Sequence, residues 1–278
     1  MSYREPLSQR AIAISISESP DMSALGLSQA HLEDAMAEVA RHFLALGARL
    51  VYGGDLREGG FTQLLFELVA RHRRDADQGD QRPSARNFLA WPVHILKPIA
   101  DLKKLATALD NLAELVLLDI EGKEISFQER TGMTSQQPSA DEWSRGLTAM
   151  RQSMRQSSHA RIVLGGRVEG YKGVMPGIAE ESLLALEAGQ PLFLLGGFGG
   201  CTRDIAETMG LIPRWPGSRG DWPSRGQFMQ FKAGDCKNGL TDEEIQILAK
   251  TPHTDQAIGL ILRGLLKLCK KNSHTVIG

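Results

Sequence analysis

Arg57 and Arg167 each follow a double glycine, in Gly53-Gly54-Asp55-Leu56-Arg57 and in Gly165-Gly166-Arg167, and a third such pair opens Gly196-Gly197-Phe198-Gly199-Gly200. A guanidinium pairs with phosphate through parallel N–H donors, and glycine lets backbone N–H groups approach the same anion with no Cβ in the way. The first loop runs on to Gly59-Gly60, more glycine than a βα turn of about 2–6 residues needs. It reads as a phosphate or ribose cradle, with Asp55 accepting from hydroxyls and Arg57 on phosphate; a flexible loop of solvated charges is the alternative. Ser15, Ser17 and Glu18 end the first apolar run, where hydroxyls can reach a ligand or merely cap a strand. Pro176-Gly177 starts a helix whose first turn holds Glu180 and Glu181, the end where carboxylates complement the helix dipole.

Other chemistries fail on spacing. Gly165 to Gly173 imitates a phosphate-binding P-loop, yet Tyr171 stands where the lysine belongs and no Ser or Thr follows. Arg167 and Lys172 still bring cations to that strand end, and Tyr171 offers a stacking face, against the alternatives of an exposed turn and a packed aromatic. Gly197, Phe198 and Gly199 suit close backbone approach to a ligand, and Cys201 beside a helix start is placed for a lowered thiol pKa. The histidines show no HExxH and the cysteines no zinc spacing, so no metal is expected, and the lack of GxGxxG argues against an ordinary NAD dehydrogenase.

These residues need strands ending at one edge. Ala11–Ser17 alternates isoleucine with small residues and reads as a buried strand. Ser28 caps a helix with Leu32, Met36, Val39, Phe43 and Leu46 at helical spacing, and Gly47 stops it. Arg49–Tyr52 is the next strand and Phe61–Arg71 a helix. The polar run His72–Asn87 reads as an exposed loop, followed by strands at Trp91–Leu96 and Leu112–Leu118 flanking a helix at Asp101–Leu109. Glu121–Ala140 reads as polar and mobile. A helix at Asp141–Gln156, a strand at Ala160–Leu164, a helix at Ile178–Glu187, a strand at Pro191–Leu195 and a helix at Cys201–Met209 follow. Leu211–Leu240 is an irregular connection, with Trp215 and Trp222 as loop packing, a lid or a subunit contact. Helices at Asp242–Lys250, behind the capping-box spacing of Thr241 to Glu244, and at Asp255–Lys270 close the chain. The alternation predicts a Rossmann-like, doubly wound α/β fold: a mainly parallel sheet, helices on both faces, and a C-terminal helical extension.

The 278 residues suffice for one large core. No run nears the ~20 apolar residues of a membrane span, the polar Met1–Arg10 lacks a signal core, and three cysteines without paired spacing suit a reducing compartment, so a cytoplasmic location is expected. A net charge of -1 provides no field for a nucleic-acid partner.

In this order Ser15-Ile16-Ser17-Glu18-Ser19-Pro20, Tyr52-Gly53-Gly54-Asp55-Leu56-Arg57 with Gly59-Gly60-Phe61-Thr62, Gly165-Gly166-Arg167 with Met175-Pro176-Gly177-Ile178-Ala179-Glu180-Glu181, and Gly196 to Gly200 resemble the SLOG superfamily. That group includes LOG phosphoribohydrolases, DNA-processing DprA proteins, and LSDAT-type sensor domains of melastatin-type channels and Thoeris antiphage effectors. The resemblance spans roughly residues 10–210, leaving 211–278 as a connection and two helices packing on the same domain. It implies a site for a nucleotide-derived ligand, with an ADP-ribose or NAD-type signal implied by the sensor branch and no further cofactor. It strengthens Glu180 or Glu181 as an acceptor for ribose hydroxyls, or as the catalytic carboxylate were the chain a hydrolase. LOG enzymes carry a longer Pro-Gly-Gly-x-Gly-Thr-x-x-Glu motif than Pro176-Gly177-Ile178-Ala179-Glu180-Glu181 here, which weighs against N-glycosidic hydrolysis. A sensor without a visible output domain implies a separate effector or a change in a homo-oligomer.

Overall fold

The computed structural model describes residues 5–57, 59–75, 83–216 and 221–274. Among them, seven strands form one sheet. β1 (Ala11–Ser17) leads to α1 (Gln29–Ala45), β2 (Arg49–Gly53) and α2 (Phe61–Asp75). β3 (Ala85–Leu89), α3 (Trp91–His94), α4 (Ile99–Ala108), β4 (Ala113–Leu118) and β5 (Glu124–Ile125) complete one side. After α5 (Phe127–Thr131) and α6 (Ala140–Gln156) come β6 (Ala160–Gly165), α7 (Gly177–Glu187), β7 (Leu192–Leu195), α8 (Gly200–Thr208), α9 (Asp242–Lys250) and α10 (Thr254–His274).

The strand order is β5-β4-β3-β2-β1-β6-β7, parallel throughout except for the antiparallel edge strand β5. β1 lies in the middle because both its faces are covered. Ile12, Ile14 and Ile16 pack with Leu32, Met36 and Phe43 of α1, while Ala13 packs with Met150 and Met154 of α6. The chain moves outward from β1 through β2, β3 and β4, then returns to β6 on the other flank, which puts a switch point beside β1. In open α/β sheets ligands bind at such a point, outside the carboxyl ends of the strands. The register Ser17↔Gly165 brings two of the polar strand ends side by side.

Trp91–Leu96 is not a strand. Pro92 has no N–H to give a sheet ladder, and it sits in the first turn of α3, where that N–H is not needed. The strand lies earlier, at Ala85–Leu89, inside the run that reads as a loop; residues 76–82 of that run lie outside the described residues. Arg86 is tolerated in β3 because Glu114 on β4 and Glu124 on β5 accept from its guanidinium at 2.7 and 3.0 Å. Nor is 121–140 structureless, since it holds β5 and α5, with Ser126 capping α5. From α5, buried Arg130 reaches back to donate to the carbonyls of His94, Ile95 and Lys97 at the end of α3 and to His94 Nδ1 at 3.1 Å. His94 Nε2 in turn bonds the Leu118 carbonyl at 2.7 Å, and burial, then the Arg130 charge, lower its pKa to about 4.

At the chain's end, α9 and α10 join the sheet's core: Leu248, Ile258 and Ile261 cluster with Phe193 and Leu195 of β7. No helix among the described residues is long and apolar enough to cross a membrane.

Candidate functional site

A cavity of about 210 Å³ opens over the carboxyl ends of β1, β2 and β6. Of the residues singled out in the sequence, Ser15, Ser17, Glu18, Gly53, Gly54, Asp55, Arg57, Arg167, Gly177 and Glu181 line it. β1 supplies the hydroxyls, the loop after β2 supplies the glycines and Arg57, and the loop after β6 supplies Arg167. Gly177 is the first residue of α7, so a helix N-terminus with its partial positive charge faces the same space. In the β2 loop Leu56 takes a left-handed φ of 56°, a conformation that costs a branched residue energy and is held only by its surroundings.

Below the cavity lies a network of buried ions. Arg161, near the start of the otherwise apolar strand β6, is fully buried and donates to Glu181 Oε2 at 2.7 Å and to Ser15 Oγ at 2.6 Å. Arg151 of α6 pairs with Glu180, which also accepts from Thr148 at 2.5 Å. Burial lowers the Arg161 pKa, the Arg151 charge adds to this, and Glu181 opposes it. Glu180 is therefore turned away from the cavity, engaged by Arg151 and Thr148. Glu181 lines the cavity with Oε2 on Arg161 and Oε1 3.9 Å from Arg151, beyond hydrogen-bond length, which leaves acceptor capacity for a hydroxyl. Burial, then the charges of Asp55 and Glu181, push the Tyr52 phenol well above its ordinary pKa, so Tyr52 faces the cavity neutral and able to donate.

The two cations at the mouth are held loosely. Arg167 pairs with Glu18 and Arg57 with Asp55, all four side chains roughly half exposed. Exposed pairs of this kind contribute about 0–1 kcal/mol, so an incoming anion can replace the carboxylates at little cost.

The other residues singled out lie elsewhere. Gly59 and Gly60 line a neighbouring cleft between α1 and α2. Gly165 and Gly166, at φ 66° and 108°, let the strand end pass close to Ser17 and Cys201. The third glycine pair faces protein: a Cβ on Gly197 would stand 2.0 Å from the Thr251 carbonyl oxygen, and Gly199 abuts Asp21. Phe198 is buried in the main core. Lys172 stacks over the Trp143 ring at 3.6 Å, and Pro176 precedes α7. Cys201 is buried, and that burial raises its thiol pKa instead of lowering it, so it is not a poised nucleophile. Trp222 is packed, its indole donating to Asp204 at 3.0 Å; residues 217–220 of that connection lie outside the described residues.

Phe61, Thr62, Leu147, Met150 and Arg151 also line the cavity, and Arg161 supports it from below. Arg161 had a signal in the sequence, as a charge inside an otherwise apolar strand. For α6 the signal was Leu147, Met150, Arg151 and Met154 at helical spacing, which marks a buried face without saying that it borders a site. Among the described residues, no three or more His, Cys, Asp or Glu side chains come together in a way that could hold a metal ion.

A mainly parallel, doubly wound sheet with glycine loops, cations and a helix N-terminus converging at its switch point defines an α/β protein of the Rossmann-like class. More narrowly, the chain belongs to the SLOG family: the family model described as SLOG cluster2 matches residues 6–256. That membership carries nucleotide-related ligand binding or LOG-type activity as its functional range. No curated protein matches the sequence.

Proposed function

We propose that the chain is a sensor that binds a nucleotide-derived ligand of ADP-ribose or NAD type at the carboxyl ends of β1, β2 and β6. One observation carries the reading: Arg57, Arg167, the start of α7, Ser17 and Glu181 line a single cavity. Phosphate sits against the arginines and the helix start, and the ribose hydroxyls donate to Glu181. Binding without turnover is favoured because Glu180 is tied to Arg151 and Thr148, and Glu181 is held by Arg161. Neither carboxylate stands free over the cavity as a general acid would. The enzyme reading, hydrolysis of a nucleotide's N-glycosidic bond with Glu181 assisting the ribose, rests on the position of that carboxylate at the cavity wall. A sensor output then runs through a separate effector or through the oligomeric state.

Thermal shift against ADP-ribose, NAD and nucleoside monophosphates, with chromatography of each ligand after incubation, separates the two, since a ligand that prefers the folded state stabilises it. A stabilising ligand recovered intact supports the sensor. Free base plus ribose phosphate makes the chain a hydrolase. Arg167→Ala is expected to weaken binding by roughly 10- to 100-fold, the worth of a charge-assisted hydrogen bond; unchanged binding refutes the cavity assignment.

A further inference from the structure

Next to the cavity lies a larger one, about 690 Å³, in the cleft between α1 and α2, and the two share Glu18, Arg57 and Phe61 as common walls. Their charge balance differs. The first sets Arg57, Arg151, Arg167 and a helix N-terminus against Glu18, Asp55 and Glu181, and its Glu18 is paired with Arg167. The described lining of the second contains Glu18, Glu33 and Glu67, with Arg57 its one cation, and that cation is paired with Asp55. Gln29 and Glu33 on α1, and Gln63 and Glu67 on α2, are each four residues apart, the spacing that puts two side chains on one helix face. Each helix thus turns an amide and a carboxylate into the cleft. Gln63 is already oriented, donating to Glu67 at 3.2 Å and accepting from the Gly59 N–H at 2.9 Å.

Phosphate is repelled by such a lining, while a group rich in N–H donors is matched by it, with the Phe61 ring offering apolar contact. We infer that the α1–α2 cleft is a second subsite that takes the amine-bearing base of the ligand, while its phosphate and ribose occupy the cavity at the strand ends. The inference rests on the proposed nucleotide reading of the first cavity and adds a direction: the ligand lies across Glu18 and Arg57, anionic end toward β6 and base toward α2. An adenine-type base, whose exocyclic amine donates, is preferred over a hypoxanthine-type base, which has a carbonyl oxygen at that position.

The test is isothermal titration of the full chain with AMP, IMP and ribose 5-phosphate, repeated with the Glu33→Gln/Glu67→Gln variant, whose substitutions are near-isosteric and not in the core. The expected order is AMP tightest, with IMP weaker by about tenfold or more, as for a hydrogen bond to a charged acceptor, and with that preference lost in the variant. Equal binding of AMP and IMP, or of AMP and ribose 5-phosphate, overturns the second subsite and leaves the first cavity standing. A preference for AMP that survives in the variant also overturns it, because the carboxylates then do not read the base. Binding of none of the three overturns the subsite, and the nucleotide reading falls with it when ADP-ribose and NAD also leave the chain unstabilised in the thermal-shift test.

Discussion

Acidification should remove the stabilisation that comes from keeping His94 neutral. Its ring has no room for a second proton: Nε2 donates to Leu118, and Nδ1 is the acceptor for Arg130, so protonation there would set two N–H donors against each other. The folded pKa of about 4 lies below the ordinary value of 6.5, so the folded state binds fewer protons than the unfolded chain between those values. Stability from this group is complete above about pH 6.5 and drains away as the pH falls toward 4; at 1.36 kcal/mol per unit the whole effect is about 3 kcal/mol. Asp204 works against it. Burial raises its carboxyl to about 6 from 3.8, with Arg225 and Trp222 opposing, so its charge destabilises the fold as pH rises through the same range. The unmodified chain therefore shows a flattened profile, and the His94 contribution has to be isolated by difference. His94→Gln keeps a donor for Leu118 and cannot titrate. Urea unfolding of both proteins at pH 7 and pH 4.5 should show the variant's deficit shrinking by about 2–3 kcal/mol at the lower pH. A deficit that stays constant refutes the assignment of a neutral, Arg130-facing imidazole.

Other outcomes follow from the same structure. Asp204→Asn should gain on the unmodified chain by about 3 kcal/mol between pH 4 and pH 7, read from urea midpoints, because the charge that burial penalises is gone. Arg161→Met leaves buried Glu181 with only the more distant Arg151, at 3.9 Å, as a cation and should cost about 3 kcal/mol, whereas Arg161→Met/Glu181→Leu should recover most of that in a double-mutant cycle. Gly197→Ala forces a methyl into the Thr251 backbone and should lower the melting temperature by several degrees, about 4 °C or less per kcal/mol for a chain of this size. Gly226→Ala, where the structure leaves open space, should change it little.

The elements that could be read from the sequence are those whose apolar period belongs to one buried face. β1 and α1 are examples, with Ile12, Ile14 and Ile16 on one side and Leu32, Met36, Val39 and Phe43 on the other. β3 could not be read, because Arg86 and Asn87 look like loop residues until Glu114 and Glu124 are in place, and those arrive from β4 and β5. Trp91-Pro92-Val93 is apolar enough to suggest a strand, and only the missing proline N–H argues otherwise. The site has the same division. Glycine at a strand end announces that something comes close without naming it: a Cβ on Gly53 would meet Met154 and one on Gly54 would meet Thr62, although both glycines also line the cavity, while at Gly197 it would meet the backbone of Thr251. The ion pairs of Arg151 and Arg161 are not legible in the sequence because their partners, Glu180 and Glu181, lie about 20–30 residues further along, on α7.

The seam between β1 and β6 holds six registered residue pairs, Ile12↔Ala160 through Ser17↔Gly165, and the cavity draws its polar lining from both sides of it, from β1 and the loop after β2 on one side and from the loop after β6 and the start of α7 on the other. Neither flank is a receptor alone. Cut in the connection between α5 and α6, the molecule becomes two pieces of which one carries Ser15, Gly53 and Arg57 and the other Arg167 and Glu181. A small molecule that touches both then behaves as a cross-link, drawing the pieces together across the seam in proportion to its concentration.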